Sequence, residues 1–153
     1  MDKIRIQKND FDIGTEVALA KNNDSNIGAT VSFVGFVRDL ENTLIKKMTL
    51  EHYPKMTEKA LSSIVNQAHE RWELGNITVI HRIGDLCSNE QIVLVITNSK
   101  HRKSAFESCE FIMDYLKTQA PFWKKEYTKN KSMWVSVKDS DNKQKDRWTR
   151  STP

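Results

Sequence analysis

The chain is poor in cysteine and has no long apolar run, and each shortage removes a class of protein. Two cysteines in 153 residues, Cys87 and Cys109, are spaced neither as a metal clip nor as a C-x-x-C redox pair. Cys109 falls on the apolar stripe of an expected helix and reads as core packing. Cys87 falls in an expected turn, with no neighbour that would lower a thiol pKa. No apolar stretch approaches the roughly 20 residues that span a bilayer. The amino terminus, M-D-K-I-R-I, lacks the apolar segment of a secretory signal. A cytoplasmic location is therefore expected. There is no internal repeat, no low-complexity tract and no Gly/Ser-rich linker. A carboxylate pair, a metal-ligand cluster, a phosphate-binding glycine loop and a serine triad are also missing.

What remains fits one soluble globular domain: 38% of residues are hydrophobic and 29% charged. Residues 1–138 are expected to form that domain. Residues 139–153 read as a polar tail, apart from Trp148. The net charge is +4, from 24 Lys and Arg against 20 Asp and Glu, and it is unevenly spread. Residues 117–131 hold five lysines and one acid, Glu126, so this window carries the entire net charge. A second block, K-H-R-K, occupies Lys100 to Lys103. Basic charge gathered in two places points to an anion-binding site more than to general solubility.

The element pattern is α+β. Lys3 to Gln7 reads as an edge strand, Gly14 to Lys21 as a helix, and Ile27 to Val37 as a strand with bends or bulges at Gly28 and Gly35. Arg38 and Asp39 close that strand, either as functional groups or as a salt-bridged strand end. Leu44 to Tyr53 reads as the next strand, with Pro54 as the first residue of a helix to Trp72. Met56, Ala60, Leu61, Ile64, Val65, Ala68 and Trp72 form its core-facing stripe. Ile77 to Ile83 and Gln91 to Asn98 are strands joined by a turn at G-D-L-C-S-N-E. The run I-V-L-V-I in the second suits burial on both faces. His81 reads as a core or strand-edge histidine.

Ser99 is the expected N-cap of a helix to about Thr118. This places His101 and Arg102 in its first turn, where cations oppose the helix dipole and a bound anion would offset them. A helix of about 18 residues is roughly 27 Å long, so its two ends cannot serve one small pocket in a single monomer. Either the binding surface is extended or a dimer joins one subunit's helix start to another's helix end. Beyond it, Pro121 breaks the chain at D-Y-L-K-T-Q-A-P-F-W-K-K-E (114–126). Phe122 to Thr128 and Ser132 to Val137 then form a hairpin over residues 129–131. In all, six or seven strands and three helices are expected around a mixed or antiparallel sheet. From the residues alone, the chain is an anion-binding α+β domain in which a partly desolvated lysine can act as base or nucleophile.

Several stretches carry a resemblance. They are V-S-F-V-G-F-V-R-D (31–39), T-L-E-H-Y-P (49–54), H-R-I-G (81–84), S-K-H-R-K-S-A-F-E (99–107) and F-I-M-D-Y-L-K-T-Q-A-P-F-W-K-K-E (111–126). Over about Ile4 to Trp148 the chain resembles the catalytic (large) subunit of molybdopterin synthase. The resemblance implies an α/β hammerhead-like fold and a central homodimer. A small ubiquitin-like sulfur-carrier subunit would dock at each end, making a heterotetramer. It implies a sulfurtransferase that moves sulfur from the carrier's C-terminal thiocarboxylate to cyclic pyranopterin monophosphate, forming the dithiolene of molybdopterin. No metal or resident cofactor is expected, and neither nucleic acid nor membrane as partner. By motif, Lys117 and Lys124 match the family's catalytic lysines. Arg38, His101 and Arg102 match its substrate-binding basic residues, and Phe36, Val37, Lys125 and Glu126 belong to segments lining the site.

Two departures stand out. Lys55 replaces the glycine usual in the family's Y-P-G-M turn, and the loop 39–46 is short and lacks glycine. Two other functions compete with the resemblance. One is a single-strand nucleic-acid module stacking bases on Phe122, Trp123, Tyr127 and Trp134. The other is a scaffold that docks a ubiquitin-like tail without turnover.

Overall fold

The computed structural model describes residues 1–39, 45–128, 132–135, 145, 146 and 148. Its described elements run β1 (Lys3–Gln7), α1 (Ile13–Lys21), β2 (Ala29–Phe36), β3 (Ile45–His52), α2 (Met56–Arg71), β4 (Ile77–Arg82), β5 (Gly84–Cys87), β6 (Gln91–Ser99), α3 (Arg102–Gln119), β7 (Phe122–Thr128) and β8 (Ser132–Val135). The class is α+β, as expected, with two four-stranded sheets where one was anticipated. The first has the order β1-β4-β6-β2, with β1 parallel to β4 and the other pairs antiparallel. The second, β5-β3-β7-β8, is antiparallel throughout.

The first sheet is covered on both faces. Ile77 and Val79 of β4 and Val93 and Val95 of β6 point to one side, against Leu61, Ile64, Val65 and Ala68 of α2 and Cys109, Ile112 and Leu116 of α3. Ile80, Leu94 and Ile96 alternate to the other side, under Ala20 of α1 and Phe11 just before it. Double coverage explains the unbroken apolar run in β6. A separate cluster of Val37, Met48, Leu50 and Leu86 seals the second sheet. Cys109 is buried in the core, and burial raises its thiol pKa to about 12. It is inert packing, as its place on the stripe indicated.

Gly35 marks a real irregularity, since the β2–β6 register slips between Gly35 and Phe36. The residues expected to form a turn at 84–87 instead make β5, paired with β3. Leu86, fully buried, is what draws them into the sheet. Ser99 ends β6 rather than capping α3, because its hydroxyl donates to the Glu73 carbonyl at 3.1 Å. His101 takes the N-cap position. The loop residues 40–44, the hairpin residues 129–131, 136 and 137, and most of the tail from Asp139 lie outside the described residues. Trp148, singled out in that tail, packs edge-on against Trp72 and Phe111 and donates from Nε1 to Asp114 at 2.6 Å.

Pro54 does not open α2. It sits in a turn with Lys55, and the helix starts at Met56. Lys55 adopts φ 71°, ψ −46°, a strained γ-turn geometry that a β-carbon disfavours. The Glu58 carboxylate accepts its backbone N–H and holds it there. Replacing Lys55 with Gly should relieve more strain than it adds in unfolded-chain entropy. We expect a net gain of about 1 kcal/mol, seen as a rise in Tm of about 3 °C. An unchanged or lower Tm would contradict the strain argument.

Candidate functional site

The turn after α3 is built from three hydrogen bonds. Ala120 takes an extended conformation, and the Phe122 N–H donates back to the Ala120 carbonyl at 2.9 Å, closing a three-residue turn around Pro121. The Pro121 carbonyl accepts from the Thr57 hydroxyl at 2.9 Å, and that hydroxyl accepts the Tyr53 N–H at 3.0 Å. Thr57 is fully buried. It therefore staples the β3–α2 corner to the α3–β7 corner, a role that its polar character within a helical stripe did not reveal.

Strand pairing then sorts the side chains. Across the β3–β7 ladder Phe122 faces His52, Lys124 faces Leu50 and Glu126 faces Met48, whereas Trp123 faces Glu51 and Lys125 faces Thr49. Directly opposed residues share a face, and successive residues alternate. Lys124 therefore lies on the same face as Phe122 and the buried Leu50. Lys125 goes to the other face with Trp123, which packs against Tyr53 with ring centroids 3.9 Å apart. The adjacent lysines look like one cluster in the sequence, and the strand separates them. Glu126 is placed by its backbone register alone.

Topology gathers several of the expected residues at one end of the first sheet. β2 pairs antiparallel with β6, so Phe36 lies opposite Gln91, and β4 brings His81 opposite Val93. α3 follows β6 and packs back along it, so its last turn, with Lys117, returns to that same end. Val37 is buried there, donating its N–H to the Glu90 carbonyl at 2.9 Å and accepting from the Asn89 N–H at 2.7 Å. It packs with Leu50, the residue opposite Lys124. Phe36 and Arg38, on either side of Val37, are exposed. The site end thus holds Phe36, Val37, Arg38, Lys117 and Lys124. Asp39 accepts the Ser88 hydroxyl at 2.7 Å instead of pairing with a strand-end cation.

His81 belongs to this end as well. Its ring stacks on Phe122, with centroids 3.9 Å apart and planes 18° from parallel. Burial pushes its pKa down to about 4, and the charges of Lys117 and His52 press the same way, against the hydrogen bond to the Arg82 carbonyl. Sequence reasoning placed His81 in the core or at a strand edge and missed its position beside Lys117. The available signal was its period-two spacing from Ile77 and Val79, which puts a titratable ring on the core face. His52, whose Nε2 lies 3.2 Å from Glu58, was not singled out at all.

His101 and Arg102 stand at the opposite end of α3. Both are exposed, and the first turn of the helix contains no acidic residue. Gly28 helps to set this corner, because a β-carbon there would meet the Lys100 carbonyl at 2.3 Å. With 18 residues in α3, the two ends lie about 27 Å apart, and a single chain does not unite them. Among the described residues no group of His, Cys, Asp and Glu is arranged to hold a metal ion, and no helix is long and apolar enough to cross a membrane.

Known proteins resemble this chain in both sequence and fold. The family model described as "MoaE protein" matches residues 6–119. The molybdopterin synthase catalytic subunit of Vibrio cholerae is 52% identical over 148 residues, covering 95% of this chain and 97% of that protein. The solved structure of a molybdopterin biosynthesis MoaE protein from Burkholderia ambifaria superposes with a TM-score of 0.85 at 48% identity, covering 99% of this chain and 100% of that one. A chain in the complex of subunits 1 and 2 of molybdopterin-converting factor from Helicobacter pylori superposes with a TM-score of 0.69 at 25% identity, over 87% and 90% of the two chains. The family match spans well over half of the chain, and relatives near 50% identity cover almost all of it: the chain belongs to the MoaE family.

Proposed function

We propose that this chain works as the catalytic subunit of a molybdopterin synthase. In this reading it transfers sulfur from the C-terminal thiocarboxylate of a small ubiquitin-like carrier subunit to cyclic pyranopterin monophosphate, building the dithiolene of molybdopterin. The observation that carries the reading is the convergence of Lys117, Lys124 and Arg38 at one end of the first sheet, in a chain of this family. Arginine suits the substrate's cyclic phosphate, because its planar fork of donors matches phosphate oxygens. Lys117 assists proton transfer or stabilises the oxyanion as the acyl-bound intermediate forms and breaks. Lys124 is the second catalytic lysine. Phe36, Val37, Lys125 and Glu126 belong to the segments that carry these side chains. The chain supplies no sulfur itself, in keeping with a Cys109 locked in the core.

His101 and Arg102 enter through a second copy. In a central homodimer, the α3 start of one subunit completes the Lys117 end of the other, and a carrier subunit at each end makes a heterotetramer. The Helicobacter pylori complex of subunits 1 and 2 supports pairing with a second, different subunit. The test mixes the purified chain with thiocarboxylated carrier and cyclic pyranopterin monophosphate and assays the dithiolene product. Product formation is expected. A stable complex without product, given competent reagents, would leave only a docking scaffold.

A further inference from the structure

Arg38 lies just past the end of β2, yet the chain around it is firmly held. Val37 before it is buried, packed with Leu86 of β5 and with Met48 and Leu50 of β3. The Val37 N–H donates to the Glu90 carbonyl at 2.9 Å, and the Val37 carbonyl accepts the Asn89 N–H at 2.7 Å. On the other side of Arg38, the Asp39 carboxylate accepts the Ser88 hydroxyl at 2.7 Å. One short turn, residues 87–90, therefore grips both neighbours of an arginine whose own side chain is exposed. That turn carries the chain from the second sheet (β5) to the first (β6). The Glu90 N–H closes it by donating to the Cys87 carbonyl at 3.1 Å. Asn89 takes φ 77°, in the left-handed region that asparagine tolerates and branched side chains do not. The Glu90 carboxylate accepts the Cys87 N–H and meets Nη1 of Arg82 at 3.3 Å. Arg82 is buried and also donates to the Lys8 and Gln91 carbonyls, which roots the turn in the first sheet.

We propose that Ser88 and Asn89 are positioning residues for Arg38: through Asp39 and the Val37 carbonyl they fix the backbone that presents its guanidinium to the substrate's phosphate. The role rests on the substrate-binding reading of Arg38 given above. An arginine on a loose strand end loses backbone freedom when it captures an anion, and that loss weakens binding. Here the backbone is ordered at folding, so only the side chain has to settle. Neither positioning residue needs to touch the substrate. Asn89 acts through its backbone N–H and its tolerance of a positive φ, and Ser88 acts through its hydroxyl.

The experiment measures kcat, KM for the pyranopterin and Tm in the reconstituted synthase for Ser88→Ala, Ser88→Thr, Asn89→Val and Asn89→Gly. Ser88→Ala and Asn89→Val are also combined with Arg38→Ala. Arg38→Ala alone should raise KM about tenfold or more. Ser88→Ala loses the bond to Asp39 and should raise KM about threefold, with kcat changed less than about twofold. Asn89→Val, whose branched β-carbon opposes a positive φ, should raise KM about fivefold. Ser88→Thr keeps the hydroxyl and Asn89→Gly keeps the turn, so each should bring KM back to within about twofold of the wild-type value. In the Arg38→Ala background neither Ser88→Ala nor Asn89→Val should raise KM further, as expected for groups acting through one another. A turn that served stability alone would lower Tm and leave KM unchanged, or shift KM equally with and without Arg38. Either result overturns the proposal. If Asn89→Val does not fold, the Ser88 pair decides, and equal KM for Ser88→Ala and Ser88→Thr overturns it. Arg38→Ala at the wild-type KM overturns the substrate-binding reading of the arginine, and this proposal with it.

Discussion

Lys117→Ala should slow dithiolene formation by about a hundredfold or more, roughly 3 kcal/mol of transition-state stabilisation, while the protein stays folded and continues to bind its carrier. The separation of the two effects follows from where the residue sits. Lys117 is exposed and lies in the last turn of α3, where its charge favours the helix dipole by a few tenths of a kcal/mol at most. No core contact is lost with it. The proposed reaction, by contrast, would have to manage charge on an acyl carbon of the carrier tail and protons on sulfur. In that proposal Lys117 would do both. The check is single-turnover product formation with carrier binding measured separately. A folded, carrier-binding Lys117→Ala that makes product at the wild-type rate would remove the lysine from the mechanism.

The largest loss of stability should come from Phe111→Ala. Phe111 is fully buried at the centre of an aromatic group. Its ring lies 4.6 Å from Tyr115, 5.3 Å from Trp72 and 5.6 Å from Trp148, with the Arg71 guanidinium 4.8 Å over its face. Truncation removes the ring's transfer energy and leaves a cavity that stiff aromatic neighbours cannot collapse to fill. The expected cost is about 4 kcal/mol, a fall in Tm of about 10 °C. It should also loosen Trp148, whose carbonyl accepts from Arg71 at 2.6 Å. Thermal unfolding followed by tryptophan fluorescence reads both effects. A fall of less than about 3 °C would mean that the group repacks freely.

These expectations draw on parts of the molecule that were unequally legible in the sequence. The α2 stripe and the β6 run could be read directly, because helical period and double burial leave their mark on consecutive residues. Lys117 and Lys124 were singled out for a catalytic role by motif, not by physics. What could not be read was long-range pairing. Nothing local says that Leu50 faces Lys124, so nothing local says that Lys124 and Lys125 part company. Thr57 shows the same limit, since its hydroxyl joins the nearby Tyr53 N–H to a carbonyl at residue 121. Ser99 had the right chemistry for a cap and found a different partner in Glu73. The helix-length argument did carry over, because it needs only the rise per residue.

The pairing of β3 with β7 has a consequence for how the protein is made. Lys124 reaches its place only when residues near 50 and residues near 124 meet, and β1 likewise waits for β4. Such distant contacts close large loops late and slowly. As the chain leaves the ribosome, α2 and the β4–β6 pair can form early. The second sheet must wait for the last third of the sequence. Catalytic competence is therefore among the final properties acquired in folding, and a chain stalled short of Phe122 would hold most of its core while lacking its chemistry.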